Sequence, residues 1–300
     1  MPKTTKPPRH NPPAKTEQVI EELRPGQSIE LLKELHILTR EGKLNQDTRR
    51  KLKQVYHLYQ FIEPLMNQAM AASPSATLAD HGAGKSYLGF ILYDLFFNVA
   101  HKGEKTVGHV YGIETRAELV EKSRVLAKRL GFDRMSFLNL TVQEATTSPD
   151  LPAKIDIVTA LHACDTATDD AIAFGLAKNA QHMVLVPCCQ AEVAGVLKKA
   201  RALNTSKTPL AELWRHPLHT REFGSQITNV LRCLQLEASG YDVTVTELVG
   251  WEHSMKNELI LASRPVRGNA SKAKTAQERL EQVMGEVGLA ELSERFAVAA

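Results

Sequence analysis

The stretch LADHGAGKSYLGF, residues 78–90, gathers the residue types that most directly suggest ligand chemistry. It contains Gly84-Lys85-Ser86, the ending of a phosphate-binding P-loop, but a P-loop needs its first glycine at position 79, where Ala79 stands. No apolar strand ending in a magnesium-holding aspartate accompanies it. Asp80 instead closes a short apolar run, Gly82 and Gly84 permit a tight turn and close backbone approach, and a helical pattern follows. A second run, YGIE, ends in Glu114, an acid suited to holding the two hydroxyls of a ribose. A dinucleotide fingerprint would require a third glycine at Tyr87. The pattern points to a nucleoside-type ligand at the carboxyl end of a parallel sheet, with Lys85 opening the next helix toward solvent.

A second constellation lies in ALHACDTATD (160–169) and VPCCQ (186–190). If their strands are neighbours, His162, Cys164, Asp165, Cys188 and Cys189 converge at one sheet edge. Asp165 and His162 are the candidate catalytic residues: Asp165 to orient an acceptor or take its proton, His162 as a general base titrating near neutrality. Cys188 and Cys189 could pack a crowded strand end, provide a nucleophilic thiolate or, with His162 and Cys164, ligate zinc. Adjacent cysteines chelate one ion poorly and no Cys-x2-Cys pair exists, so no metal is expected.

The elements that would position these residues read as an α/β sheet. Strands are expected at 77–80, 107–114, 135–140, 155–163 and 182–189, alternating with helices, then at 241–250 and 258–264 with no long helix between them. That predicts a mostly parallel, Rossmann-like seven-stranded sheet with an antiparallel edge hairpin. Ahead of it, 17–72 is periodic in the helical sense, as EQVIEELR, SIELLKELHILTREGKL and DTRRKLKQVYHLYQFIEPLMNQAM. Ser28 is a helix start, Gly42 a stop and Asp47 a cap; Leu52, Val55, Leu58, Tyr59 and Ile62 form an apolar stripe opposite Arg49–Lys53. Residues 1–16 are a basic, proline-rich arm expected to be disordered, 73–264 the ligand-binding domain, and 265–300 a basic linker with one or two amphipathic helices.

A net charge of +3 does not by itself argue for nucleic acid. No secretory signal or membrane-spanning run is evident, and four cysteines with an adjacent pair suit a reducing compartment, so a cytoplasmic location is expected.

Over roughly 75–264 these residues resemble the class I methyltransferases that use S-adenosylmethionine (SAM). With the segments at 51–58, 78–90, 160–170, 186–190 and 250–258, the chain is similar to the branch carrying LHACD and PCC motifs, and distantly to an enzyme that 2′-O-methylates transfer RNA. The resemblance implies SAM as cofactor, held by Asp80, Gly82, Gly84, Glu114 and Leu161. It implies acceptor contacts from Lys53, His57, Cys188, Cys189, Lys256 and Asn257. One departure is that Glu114 lies 34 positions after Asp80, because the first helix and its linker are long. The Asn-Pro-Pro-Tyr loop of amino-group methylation is absent. RNA is the expected acceptor, with basic and aromatic groups in RRKLKQVYHL, WRHPLHTREFGSQ and WEHSMKN; a protein or small-molecule acceptor, or a non-catalytic binding module, are the alternatives.

Overall fold

The central strands are short, mostly apolar runs with no solvent-facing side. β1 (Thr77–His81), β4 (Ile157–Leu161) and β5 (His182–Val186) are buried on both sides over almost every residue, the pattern of parallel strands covered by helices on both faces. The computed structural model describes residues 22–73, 76–102, 108–161, 163–187, 190–203, 208–248 and 258–298. With β2 (His109–Glu114), β3 (Met135–Asn139), β6 (Asp242–Glu247) and β7 (Glu258–Ser263), the strands form one sheet in the order β3-β2-β1-β4-β5-β7-β6. The first five are mutually parallel, and β7 runs antiparallel to both β5 and β6. All seven expected strands are present. β4 and β5 stop two or three residues early: β5 is followed by Pro187, which has no amide to donate to a ladder.

The order reverses between β1 and β4, which sends successive helices to opposite faces. One face carries α1 (Ile29–Glu34), α2 (Gln46–Ala72), α3 (Tyr87–Tyr93) and α4 (Ala117–Leu130) over a core that includes Leu78, Val110 and Val184. The other carries α5 (Val142–Thr147), α6 (Ala167–Ala177) and the end of α8 (Pro217–Ala238) over Ala79, Val158 and Leu185. A third cluster joins α7 (Glu192–Ala202), α8 and α9 (Ala270–Val287) around Trp214 and Phe296. The long first crossover arises because α3 continues as a π-helical segment, Asp94–Ala100. Buried Asp94 accepts the Ser28 amide at 2.9 Å, which fastens the start of α1 to this segment.

Several local expectations are corrected. Ser28 does cap α1, accepting from the Leu31 amide at 3.1 Å, but α1 ends at Glu34, well before Gly42, as His36 turns to φ 55°. Asn45, not Asp47, caps α2, in a reciprocal pair with Thr48. Glu22–Arg24 forms a turn instead of a helix, because Pro25 disfavours helical backbone at the residue before it. The basic segment after β7 is shorter than expected: α9 starts at Ala270, capped by Asn269. The stripe from Leu52 to Ile62 is buried throughout. Tyr59 belongs to that core, and Tyr56 donates to Gln27 under Arg24, so neither tyrosine presents a free face for base stacking.

Candidate active site

The carboxyl edge of the sheet brings together the turn after β1, the end of β2, the loop after β4 and the loop after β5. The first turn is built on left-handed backbone at Gly82 (φ 66°) and Gly84 (φ 58°). A side chain at Gly82 would meet nothing within 4 Å, so the turn is open on that side. Glycine is needed at both positions for backbone conformation rather than for space. Ser86 also adopts φ 52°, with its hydroxyl buried and unpartnered. α3 begins at Tyr87, two residues later than Lys85 would have opened it, and Lys85 is exposed.

Glu114 is the most strongly organised acid at this edge. Its Oε2 accepts the Gly84 amide at 2.7 Å, and its Oε1 accepts the Arg116 amide and Nε, each at 3.0 Å. Burial alone would raise its pKa, but the Arg116 and Gly84 hydrogen bonds outweigh that and hold it down at about 2. The carboxylate is therefore ionised at any physiological pH, and its guanidinium partner is 59% exposed and displaceable. Asp80, fully buried, accepts from Thr159 Oγ1 at 3.0 Å; burial dominates and pushes it up to about 7. His81, 6% exposed against Phe174, has both ring nitrogens without a partner, and burial pushes it down to about 4.

These two shifts have opposite pH signatures. A raised aspartate is without cost below about pH 4, costs progressively more as pH rises, and reaches a full cost of about 4 kcal/mol above pH 7. A depressed histidine is without cost above about pH 6.5 and reaches about 3 kcal/mol below pH 4. Denaturant titrations should accordingly find Asp80→Asn more stable than the parent at pH 8 and equal to it at pH 4. His81→Leu should gain most at pH 4–5, and should still gain about 1–3 kcal/mol at pH 8 by removing two unpartnered buried nitrogens.

The second half of the edge is held by a buried polar network. Asp165, in left-handed backbone at φ 51°, accepts the amides of Ala191 and Glu192 at 2.8 and 3.1 Å and so caps α7. The loop after β4 is thereby tied to the loop after β5. Arg232 on α8, 1% exposed, pairs with Asp169 at 2.6 Å and donates to the Asp165 carbonyl at 2.8 Å. Asn229, one helical turn earlier, accepts from Arg232 and from Gln190, and donates to Glu258 at the start of β7. Ser225 donates to Gln190 at 2.5 Å. Ser225, Asn229 and Arg232 share one face of α8, and sequence reading missed all three.

Of the expected site residues, Asp80, Gly82, Gly84, Glu114, Leu161 and Asp165 stand at this edge. Leu161 is the half-buried last residue of β4, paired in register with Val186. Lys53 is exposed on α2, and His57 lies edge-on to Phe61 with ring centroids 5.2 Å apart. His162, Cys188, Cys189, Lys256 and Asn257 lie outside the described residues, as does the 1–16 arm. Cys164 is exposed. Among the described residues no cluster of histidine, cysteine or acid could hold a metal, and no helix is long and apolar enough to cross a membrane.

Residues 50–196 match a family model described as a methyltransferase domain. No curated protein matches the chain in sequence. Among solved structures it is similar to an rRNA methylase from Streptococcus thermophilus, at 8% identity and a TM-score of 0.42, over 69% of this chain and 93% of that one. It is also similar to magnesium protoporphyrin IX methyltransferase from Synechocystis, solved with bound S-adenosylhomocysteine, at 14% identity and a TM-score of 0.42, over 78% and 94% of the two chains. At that distance a shared substrate does not follow. The matched segment contains β1 to β5, the glycine turn and Glu114, and the carboxyl edge offers an ionised acid beside an open glycine turn with buried, unpartnered polar atoms behind it. The chain carries an S-adenosylmethionine-dependent methyltransferase domain.

Proposed function

We propose that the enzyme methylates RNA, with Glu114 holding the ribose of SAM and the Gly82–Gly84 turn its methionine portion. SAM supplies a methyl group on a sulfonium that leaves readily, so the chain's own contribution is alignment more than proton transfer. The observation that carries the RNA reading is the segment 191–226, which leaves the sheet after β5 and opens with the α7 start that Asp165 caps. It contains six lysines and arginines against three acids, plus His216 and His219, so its excess of three equals that of the whole chain. Lys198 and Lys199 are exposed on α7, and Arg215 and Arg221 on the adjoining turn and α8. Such groups neutralise phosphates and stack on unpaired bases. Lys53, His57, Cys188, Cys189, Lys256 and Asn257 are the further acceptor contacts of this reading. The similarity to the LHACD and PCC branch, and to transfer RNA 2′-O-methylation, belongs to the same proposal. A cytoplasmic location, suggested by the four cysteines with an adjacent pair, belongs to the same proposal.

A protein acceptor is the second reading, favoured by Leu203, Leu213 and Leu218, which are 52–64% exposed on the same projection. Incubating the enzyme with tritiated SAM and separated cellular RNA and protein decides between them: label in RNA supports the first, label in protein alone overturns it.

Asp165 enters this proposal as a positioning residue with one oxygen committed to the α7 cap. Asp165→Asn, which preserves the cap, should keep kcat near the parent value. Asp165→Ala should lose about 1 kcal/mol of stability together with activity. Equal loss of kcat in both variants, with Asp165→Asn fully folded, would instead identify Asp165 as the proton acceptor that its place in the sequence suggested.

A further inference from the structure

On the outer side of the glycine turn, a groove of ≈ 490 Å³ runs between the end of α1, the start of α3 and the length of α4. Leu35, Leu119 and Leu126 line it, together with Tyr87 and with Val125, which is 56% exposed. Its acids are already matched: Glu34 pairs with Arg129 at 2.8 Å, and Glu121 sits 3.8 Å from Arg124. Two cations in the lining, Lys85 and Lys122, have no ion pair with any described residue. An apolar floor, an aromatic ring and two unneutralised ammonium groups complement a ligand that is planar at one end and anionic at the other.

We propose that this groove holds one nucleotide of a single-stranded RNA, its phosphate between Lys85 and Lys122 and its base against Tyr87 and Val125. The inference rests on the RNA reading above. It gives the lysine of the P-loop-like sequence a phosphate to bind, though on the outer face of the turn and not on a nucleoside triphosphate. Lys85 lies between Gly84, whose amide Glu114 holds, and Ser86, so a strand seated in the groove lies beside the cofactor turn and can continue toward the carboxyl edge. The methylated nucleotide is then a neighbour in the same strand. Charge comes from the lysines and stacking from the ring, so the groove recognises a nucleotide without reading its base.

The test is fluorescence anisotropy of the full chain with a labelled single-stranded RNA of mixed sequence, across a salt series, with SAM binding measured in parallel. Lys122→Glu changes an exposed residue on α4 away from the turn, so it should leave SAM affinity unchanged. It should weaken RNA binding about tenfold and flatten the slope of log Kd against log salt by about one. The Lys85→Glu, Lys122→Glu double variant should lose more of both. Unchanged RNA affinity and slope in the double variant would overturn the groove while leaving the RNA reading intact. Failure of the parent chain to bind RNA would overturn both. Equal competition by polyglutamate would show that the lysines respond to charge alone and would overturn a nucleotide as occupant.

Discussion

Replacing Arg232 with alanine is expected to cost about 3–5 kcal/mol of folding free energy, because it leaves Asp169 buried and charged without its partner. The same change removes the donor to the Asp165 carbonyl and one of the donors to Asn229. The loops after β4 and β5 then lose their common anchor on α8. Activity should fall further than the unfolded fraction explains, and a denaturant titration alongside kcat/KM separates the two effects. Asp169→Asn is the informative companion. It keeps an acceptor for the guanidinium and removes the opposite charge, so it should destabilise comparably only if the charge, and not the hydrogen bonding, holds the pair. A loss below about 1 kcal/mol for Arg232→Ala would place this network among exposed ion pairs, in conflict with its 1% exposure.

The second large effect concerns Glu114. Glu114→Gln replaces an ionised carboxylate by a neutral amide with one acceptor, and hydrogen bonds to charged groups contribute about 1.5–3 kcal/mol each. SAM affinity should fall about 10- to 100-fold. Folding should lose about 1–3 kcal/mol, since Gln keeps only one of the two acceptor oxygens that hold the Gly84 and Arg116 amides, while the salt bridge to exposed Arg116 adds little. Because Glu114 is held at about 2, its contribution to folding is fully present above the usual carboxylate pKa and is lost only as pH falls toward 2. Its hold on a ribose should therefore be flat between pH 5 and 8, and a strongly pH-dependent SAM affinity in that range would point to Asp80, held at about 7, if Asp80→Asn abolishes it.

The sheet was legible because β1, β4 and β5 are short, mostly apolar runs flanked by helical periodicity, so burial on both faces was largely written in composition. Asp80, the glycines and Glu114 were legible because a turn between a strand and a helix needs those types within a few residues. The network on α8 was not. Asp169, Asn229, Arg232 and Glu258 are dispersed over 90 positions, and each taken alone reads as an ordinary surface residue. Only the fold shows that they share one buried volume. Asp165 was found for its position in LHACD, yet its capping of α7 depends on where β5 ends, which Pro187 sets and the apolar run through Cys189 concealed. The tyrosines of α2 had the opposite problem: aromatic residues beside lysines suggested a stacking surface, while the 3–4 spacing that makes Tyr59 core was present in the same segment.

The most direct measurement of the central claim is isothermal titration of the full chain and of Glu114→Gln with SAM, with ATP and magnesium as the control. SAM should bind the parent chain with micromolar affinity and Glu114→Gln at least tenfold more weakly, while ATP gives no heat. Binding of ATP without binding of SAM would contradict the account, and would return Gly84-Lys85-Ser86 to the phosphate-loop role that Ala79 argues against.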